Sequence, residues 1–174
     1  CHFVNLAASY RASPSSVSLV NSVAREPRAR RLKTDSNSAN CLDAVMTAED
    51  IITVSHTGEV IGGGKRGRQV VNAAGFLIHS AIHKARPDVQ AICHSHSPYG
   101  KAWSTLGLPL EYTTQDSCAF YKSQAVLDSF GGVVLSKSEG GRIAEKLGDN
   151  KLIVLQNHGL LCVRSHCALT LGPH

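Results

Sequence analysis

The sequence predicts an α/β layered domain, with a sheet covered by helices on both faces. Three observations carry that prediction. Short β-rich apolar runs alternate with a segment of helical period, helix stops stand at Arg86-Pro87 and Gly107, and two apolar strands bracket a turn at Asn157-His158-Gly159. The chain has 174 residues, which suits one domain, or one domain with an appendage, and allows a sizeable core.

The elements follow in order. Residues 1–40 are rich in Ser, Ala, Arg and Asn, contain Pro14 and Pro27, and lack a sustained period. From Thr47 the texture changes: Ile51, Ile52 and Val54, a turn at His56-Thr57-Gly58, and then Val60-Ile61 predict a hairpin. Residues 62–68 read as a flexible basic loop. It superficially resembles a phosphate loop, but that motif needs Gly and Ser/Thr where Glu59 and Arg66 stand. Ala74, Ile78, Ala81, Ile82 and Ala85 form an apolar stripe at helical spacing. Pro87 disfavours helical geometry at Arg86, so that helix stops there. Residues 89–94 are a predicted strand. Ser97-Pro98 supplies an N-cap and an N1 proline for a helix over about 98–106. Residues 132–135 read as another strand, and Ser136 with Glu139 as a capping box for a helix ending before Gly148. Residues 152–155 and 160–163 are the closing strands.

Composition excludes several function classes. Hydrophobic residues make up 43% and charged residues 18%, which is neither collagenous nor wholly disordered. No apolar run approaches the ~20 residues of a membrane-spanning helix. The formal charge of +5 is uneven: six of the 18 basic residues, against three acids, fall within residues 1–46. The cluster from Arg25 to Lys33 has no aromatic for base stacking, so it predicts a solvated arm rather than a nucleic-acid reader. Six scattered cysteines without a CxxC, and no signal-like segment, predict a reducing, cytoplasmic setting. Residue 1 is Cys, and the one Met is Met46; the expectation is a fragment or processed product.

The chemistry concentrates at His94-Ser95-His96, at a strand end. Residues two apart on a strand point to one side, so both imidazoles can reach one point. His158 sits in the turn between two apolar strands, where a side chain can project inward. Three His around an open position is a catalytic-zinc arrangement. A rival pair, His79 and His83, lies at i and i+4 on the preceding helix, but no Glu follows His79 to complete H-E-x-x-H, and the pair is expected to flank the apolar stripe on a partly exposed face. Other polar candidates are Asp116, Glu111, Tyr99, Tyr112 and Tyr121. Asp116 is the best acid/base by residue type, set against an ordinary turn or capping role. Trp103 reads as core rather than a substrate platform.

The run from Asn72 through Arg86-Pro87-Asp88 to His94-Ser95-His96-Ser97-Pro98-Tyr99-Gly100 resembles the class II aldolase/adducin head-domain family. Val154-Leu155-Gln156-Asn157-His158-Gly159-Leu160-Leu161 resembles its second signature. The likeness covers roughly residues 47–163, and Gly100-Lys101-Ala102-Trp103-Ser104 with Gln115-Asp116 is most similar to an adducin-like branch found in fungi. The resemblance implies a three-layer α/β/α sandwich around a mostly antiparallel sheet, usually tetrameric. It also implies a divalent metal site, Zn²⁺ or another ion, on His94, His96 and His158. On this reading residues 1–46 are a divergent, poorly ordered basic arm, 47–163 a truncated family domain and 164–174 a tail. The family's strand before the hairpin is not matched within 1–46, nor its closing helices after Val163.

The family's catalytic Glu falls on Gly75, and the two hydroxyl residues before it, which bind phosphate in the aldolases, fall on Ala73 and Ala74. Glycine cannot transfer a proton. Two functions therefore remain open: a Zn²⁺-dependent lyase- or epimerase-like enzyme on a small hydroxy-carbonyl compound, with Asp116 as replacement acid/base, and a non-catalytic adducin-like module for self-association and cytoskeletal protein contacts.

Overall fold

A computed structural model of the protein describes residues 3–13, 16–25, 51–64, 69, 71–129 and 137–165. Among the described residues, eight strands form one sheet in the order β4-β3-β2-β1-β5-β8-β7-β6. They are β1 (Phe3–Ser13), β2 (Ser16–Arg25), β3 (Ile52–Ser55), β4 (Val60–Gly63), β5 (Ala91–Ser95), β6 (Gln124–Leu127), β7 (Leu152–Leu155) and β8 (Gly159–Arg164). All neighbours pair antiparallel except β6 with β7, so the sheet is mostly antiparallel as expected. The helices are α1 (Ala73–Ala85), α2 (Pro98–Ser104), α3 (Gln115–Cys118) and α4 (Lys137–Leu147).

The predicted helix boundaries at the centre of the chain have visible causes. Asn72 caps α1 by accepting the Gly75 N–H at 3.1 Å. The helix stops at Arg86, whose N–H still bonds the Ile82 carbonyl before Pro87 takes the chain out of helical geometry. Arg86 then pins the corner: Nε and Nη2 donate to the two Asp88 carboxylate oxygens at 2.8 and 2.7 Å, and Nη1 to the Gly148 carbonyl at the end of α4. Ser97 caps α2 by accepting the Gly100 N–H, with Pro98 at N1. The Ser136 half of the capping box and the strand read over 132–135 lie outside the described residues.

The main core joins Ile78 and Ile82 of α1, Ile143 and Leu147 of α4, and Ile92, Ile153, Leu155 and Leu161 of the sheet. A smaller cluster holds Ile52 and Val54 against Val60, Val71 and Phe76. Strand residues alternate between faces, and this settles the layers. Leu161 meets the α1/α4 side, while Leu160 faces Gly100 of α2, where an added Cβ would lie 3.2 Å from the Leu160 side chain. Helices therefore cover both faces. Close packing of α4 on α1 depends on Gly140, where a Cβ would stand 2.6 Å from the Leu77 carbonyl oxygen.

Residues 3–13 and 16–25 do not form the poorly ordered arm read from the sequence. They supply β1 and β2 at the middle of the sheet: β1 pairs with β5 from Leu6↔Ser95 to Tyr10↔Ala91, and β2 with β3 from Ser16↔Ser55 to Leu19↔Ile52. Their abundant Ala and Ser dilute the β signal; the pairing partners, far along the chain, supply what local propensity lacks. Residues 26–46 lie outside the described set. Two short elements, β6 and α3, were also missed. Thr114 caps α3 through a reciprocal box with Ser117, a pairing without the Glu/Gln that usually signals it.

Candidate metal centre

His94 is the penultimate residue of β5, on the buried side of a strand whose burial alternates. Its Nδ1 lies 3.0 Å from the Leu160 carbonyl oxygen. A carbonyl only accepts, so Nδ1 carries the proton and Nε2 presents its lone pair. His96 follows the strand in the short turn that Ser97 ties down, its N–H donating to Ser95 Oγ at 3.2 Å. His158 stands in the β7–β8 turn. That turn is held by Gln156 N–H on Leu127 O, Asn157 N–H on Ser104 O and His158 N–H on Leu155 O. Asn157 takes φ 58°, which Asn tolerates better than most residues.

The three Nε2 atoms converge. His94 Nε2 lies 2.8 Å from that of His96 and 3.3 Å from that of His158, and each residue offers a ligand atom within 4.8 Å of the others. A tetrahedral ion with Zn–N bonds near 2.0–2.1 Å spaces its ligand nitrogens about 3.3 Å apart. The donor set and spacing fit such an ion with a fourth position open. Electrostatics agrees. Burial, followed by His158 and its neighbours, holds His94 well below its usual range. Burial and then His158 and Lys101 push His96 down to about 4, and burial lowers His158. All three shifts favour the neutral ring, the form that ligates metal.

Gly159 closes the site. An added Cβ would run into the Ser95 carbonyl oxygen and lie 3.2 Å from the His96 ring. Gly159→Ala is expected to destabilise the protein by about 2–3 kcal/mol through this overpacking, read as a lower urea midpoint. An unchanged midpoint would contradict so close a strand approach.

The remaining candidates are mostly exposed. Asp116 lies exposed in the first turn of α3, and no hydrogen bond or ion pair joins it to the imidazoles. Tyr99 is 90% exposed; Tyr112 and Tyr121 stack edge-to-face with each other. Trp103 is half-buried and donates its indole N–H to the Leu108 carbonyl. Gly75 is buried in α1 and brings no side chain. Sequence reading missed Glu139, whose negative charge opposes the lowering of the His158 pKa and whose carboxylate accepts from Arg142 at 2.8 Å. In sequence it reads only as half of a helix cap, and no spacing rule connects it to His158.

The rival histidines are not on a partly exposed face; they are 0% and 1% exposed. His83 Nδ1 donates to the Val89 carbonyl, so its Nε2 accepts the Ser9 hydroxyl at 2.9 Å. Ser9 Oγ in turn accepts from His79 Nδ1 at 2.7 Å, which leaves His79 Nε2 buried as a lone pair without a partner. The pair is thus joined through Ser9, from a strand nobody could pair with α1 by spacing, and does not converge on one ion.

Comparison with known proteins agrees with this geometry. The family model described as Class II Aldolase and Adducin N-terminal domain matches residues 37–170. Decarboxylase NovR of Streptomyces niveus is 45% identical over 121 residues, 69% of this chain and 43% of its own. Alpha-adducin of Rattus norvegicus is 32% identical over 119 residues, 68% of this chain and 16% of its own. The solved L-fuculose 1-phosphate aldolase from Glaciozyma antarctica PI12 superposes with a TM-score of 0.73 at 46% identity, covering 94% of this chain and 56% of that one. The chain thus spans less than half the length of these curated relatives. With a three-histidine cluster on the strand end and turn that carry both signatures, the chain belongs to the class II aldolase and adducin N-terminal domain family.

Proposed function

We propose that the protein binds a divalent cation, Zn²⁺ first, through His94, His96 and His158, and that it acts as a lyase- or epimerase-like enzyme on a small hydroxy-carbonyl compound. The convergence of three neutral Nε2 atoms supports this reading. A cation held there supplies Lewis-acid polarisation of a substrate carbonyl. The chain's own residues hold the imidazoles in the ligating tautomer, through Leu160 for His94, and keep them neutral by burial. Asp116 is the proposed acid/base from the sequence; because α3 carries it on the surface, its part requires the substrate to extend from the histidines toward α3. A location in the cytoplasm and assembly into a homo-oligomer belong to the same proposal. No helix among the described residues is long and apolar enough to cross a membrane.

A second reading has its own observation. Gly75 leaves α1 without a carboxylate at the position matched to the family's catalytic Glu, and alpha-adducin is among the relatives. That favours a non-catalytic, adducin-like module that makes cytoskeletal protein contacts. Turnover separates the two. The zinc-loaded wild type is expected to cleave or epimerise at least one member of a panel of sugar phosphates and small hydroxy-acids, with Asp116→Asn lowering the rate at least about tenfold. No turnover by wild type, together with retro-aldol cleavage by Gly75→Glu, would favour the non-catalytic module and locate the defect in α1.

A further inference from the structure

Cys93 and Cys162 are direct partners across β5 and β8. On the other edge of β8, the Val163 N–H donates to Lys151 O. Along an inner antiparallel strand, N–H and C=O point to alternate neighbours. Cys162 therefore directs its own backbone groups to β5, and the two cysteines form a hydrogen-bonded pair with Cα atoms about 5.5 Å apart. Both side chains point away from the face that carries His94 and Leu161, since neighbours on a strand alternate. Neither is in a disulfide, both are half-buried, and Cys93 stands close enough to Cys162 to be the first cause raising its thiol pKa.

That Cα spacing lies inside the disulfide range, but the Cβ atoms of a hydrogen-bonded pair sit near 5.5 Å, about 1 Å beyond the span a relaxed disulfide prefers. Closing the bond draws the strands together and leaves it strained, which makes it easy to reduce. We propose that Cys93 and Cys162 are a reversible redox pair, which a peroxide converts to an intrachain disulfide on the reverse side of the strands that carry the histidine cluster. One sulfur attacks a peroxide oxygen as its proton leaves; the O–O bond breaks, giving a sulfenic acid and one water. The second thiol displaces the sulfenic oxygen as a second water and forms the S–S bond. Two thiols lose two electrons and two protons, and the peroxide accepts both. The pair does not depend on what the histidines bind.

The test uses the whole chain, reduced, freed of reductant and exposed to hydrogen peroxide. Hydrogen bonding to Cys93, and then burial, raise the Cys162 pKa, so the reaction is followed over an extended time course. After blocking of free thiols, non-reducing digestion and mass spectrometry are expected to find the Cys93 and Cys162 peptides joined, two hydrogens lighter than their sum. Reduced glutathione is expected to restore both thiols. Cys93→Ser should remove the cross-link and leave oxidation of the exposed Cys118 unchanged; Cys162→Ala serves if the first variant does not fold. The proposal is overturned if Cys93 and Cys162 stay blockable while Cys118 is oxidised, if they join only other cysteines, or if glutathione cannot open the bond.

Discussion

Replacing His94 by alanine is expected to abolish stoichiometric zinc binding. Wild type should purify with about one zinc per chain after equilibration, and His94→Ala should bind at least about 100-fold more weakly. Loss of an outer-sphere partner alone costs a zinc site 10–100-fold, and here a direct ligand is removed. His94 is central because its Nε2 faces both other imidazoles, so its loss leaves His96 and His158 as a two-ligand remnant. Zinc at a thousandfold excess over its dissociation constant adds about 4 kcal/mol of stability, which raises the melting temperature of a domain this size by roughly ten degrees. That rise should vanish in His94→Ala. Elemental analysis and thermal melts with and without zinc read both effects. A variant that keeps one tightly held zinc would remove the three-histidine assignment.

The second large effect concerns acid. His79 is fully buried, and burial, with His83 beside it, pushes its pKa down from 6.5 to about 3. An unfolded chain takes up a proton on this residue as pH falls through 6.5; the folded chain does not until near pH 3. Stability from the neutral ring is therefore fully present above pH 6.5 and is lost progressively between 6.5 and about 3. The cost approaches about 1.4 kcal/mol per pH unit for this one group, enough to consume much of a domain's usual margin. His94, His96 and His158 shift in the same direction in the metal-free protein. Urea midpoints of metal-free protein measured from pH 7.5 to 4 are expected to fall steeply below 6.5, and His79→Leu to shallow that slope. A flat profile would mean that His79 already holds a proton or reaches water.

Much of the centre of the molecule was legible because local chemistry decides it. Ser97 and Pro98 start a helix where the backbone needs a cap, and Pro87 ends another. Uninterrupted apolar runs such as Leu152–Leu155 become strands buried on both faces. Even the two-residue spacing of His94 and His96 survives as a convergence of their Nε2 atoms, although His96 lies one residue past the strand. Other features were not legible, for a common reason: they depend on partners distant in sequence. β1 and β2 pair as strands because β5 and β3 present edges to them, not because Ala- and Ser-rich segments demand it. Ser9 reaches His79 and His83 across 70 and 74 residues.

By itself, then, the sequence determined the class of fold, the end of α1, the start of α2 and the histidine types that can ligate a metal, since capping, proline geometry and apolar period act over a few residues. Tertiary structure alone decided that residues 3–13 and 16–25 belong to the sheet, that the His79/His83 pair is joined through Ser9 inside the core, and that Asp116 lies exposed on α3. It also set the lone pair of His94 inward, through the Leu160 carbonyl on a neighbouring strand. Side-chain direction and protonation depend on what folding brings alongside, and no local pattern carries that information.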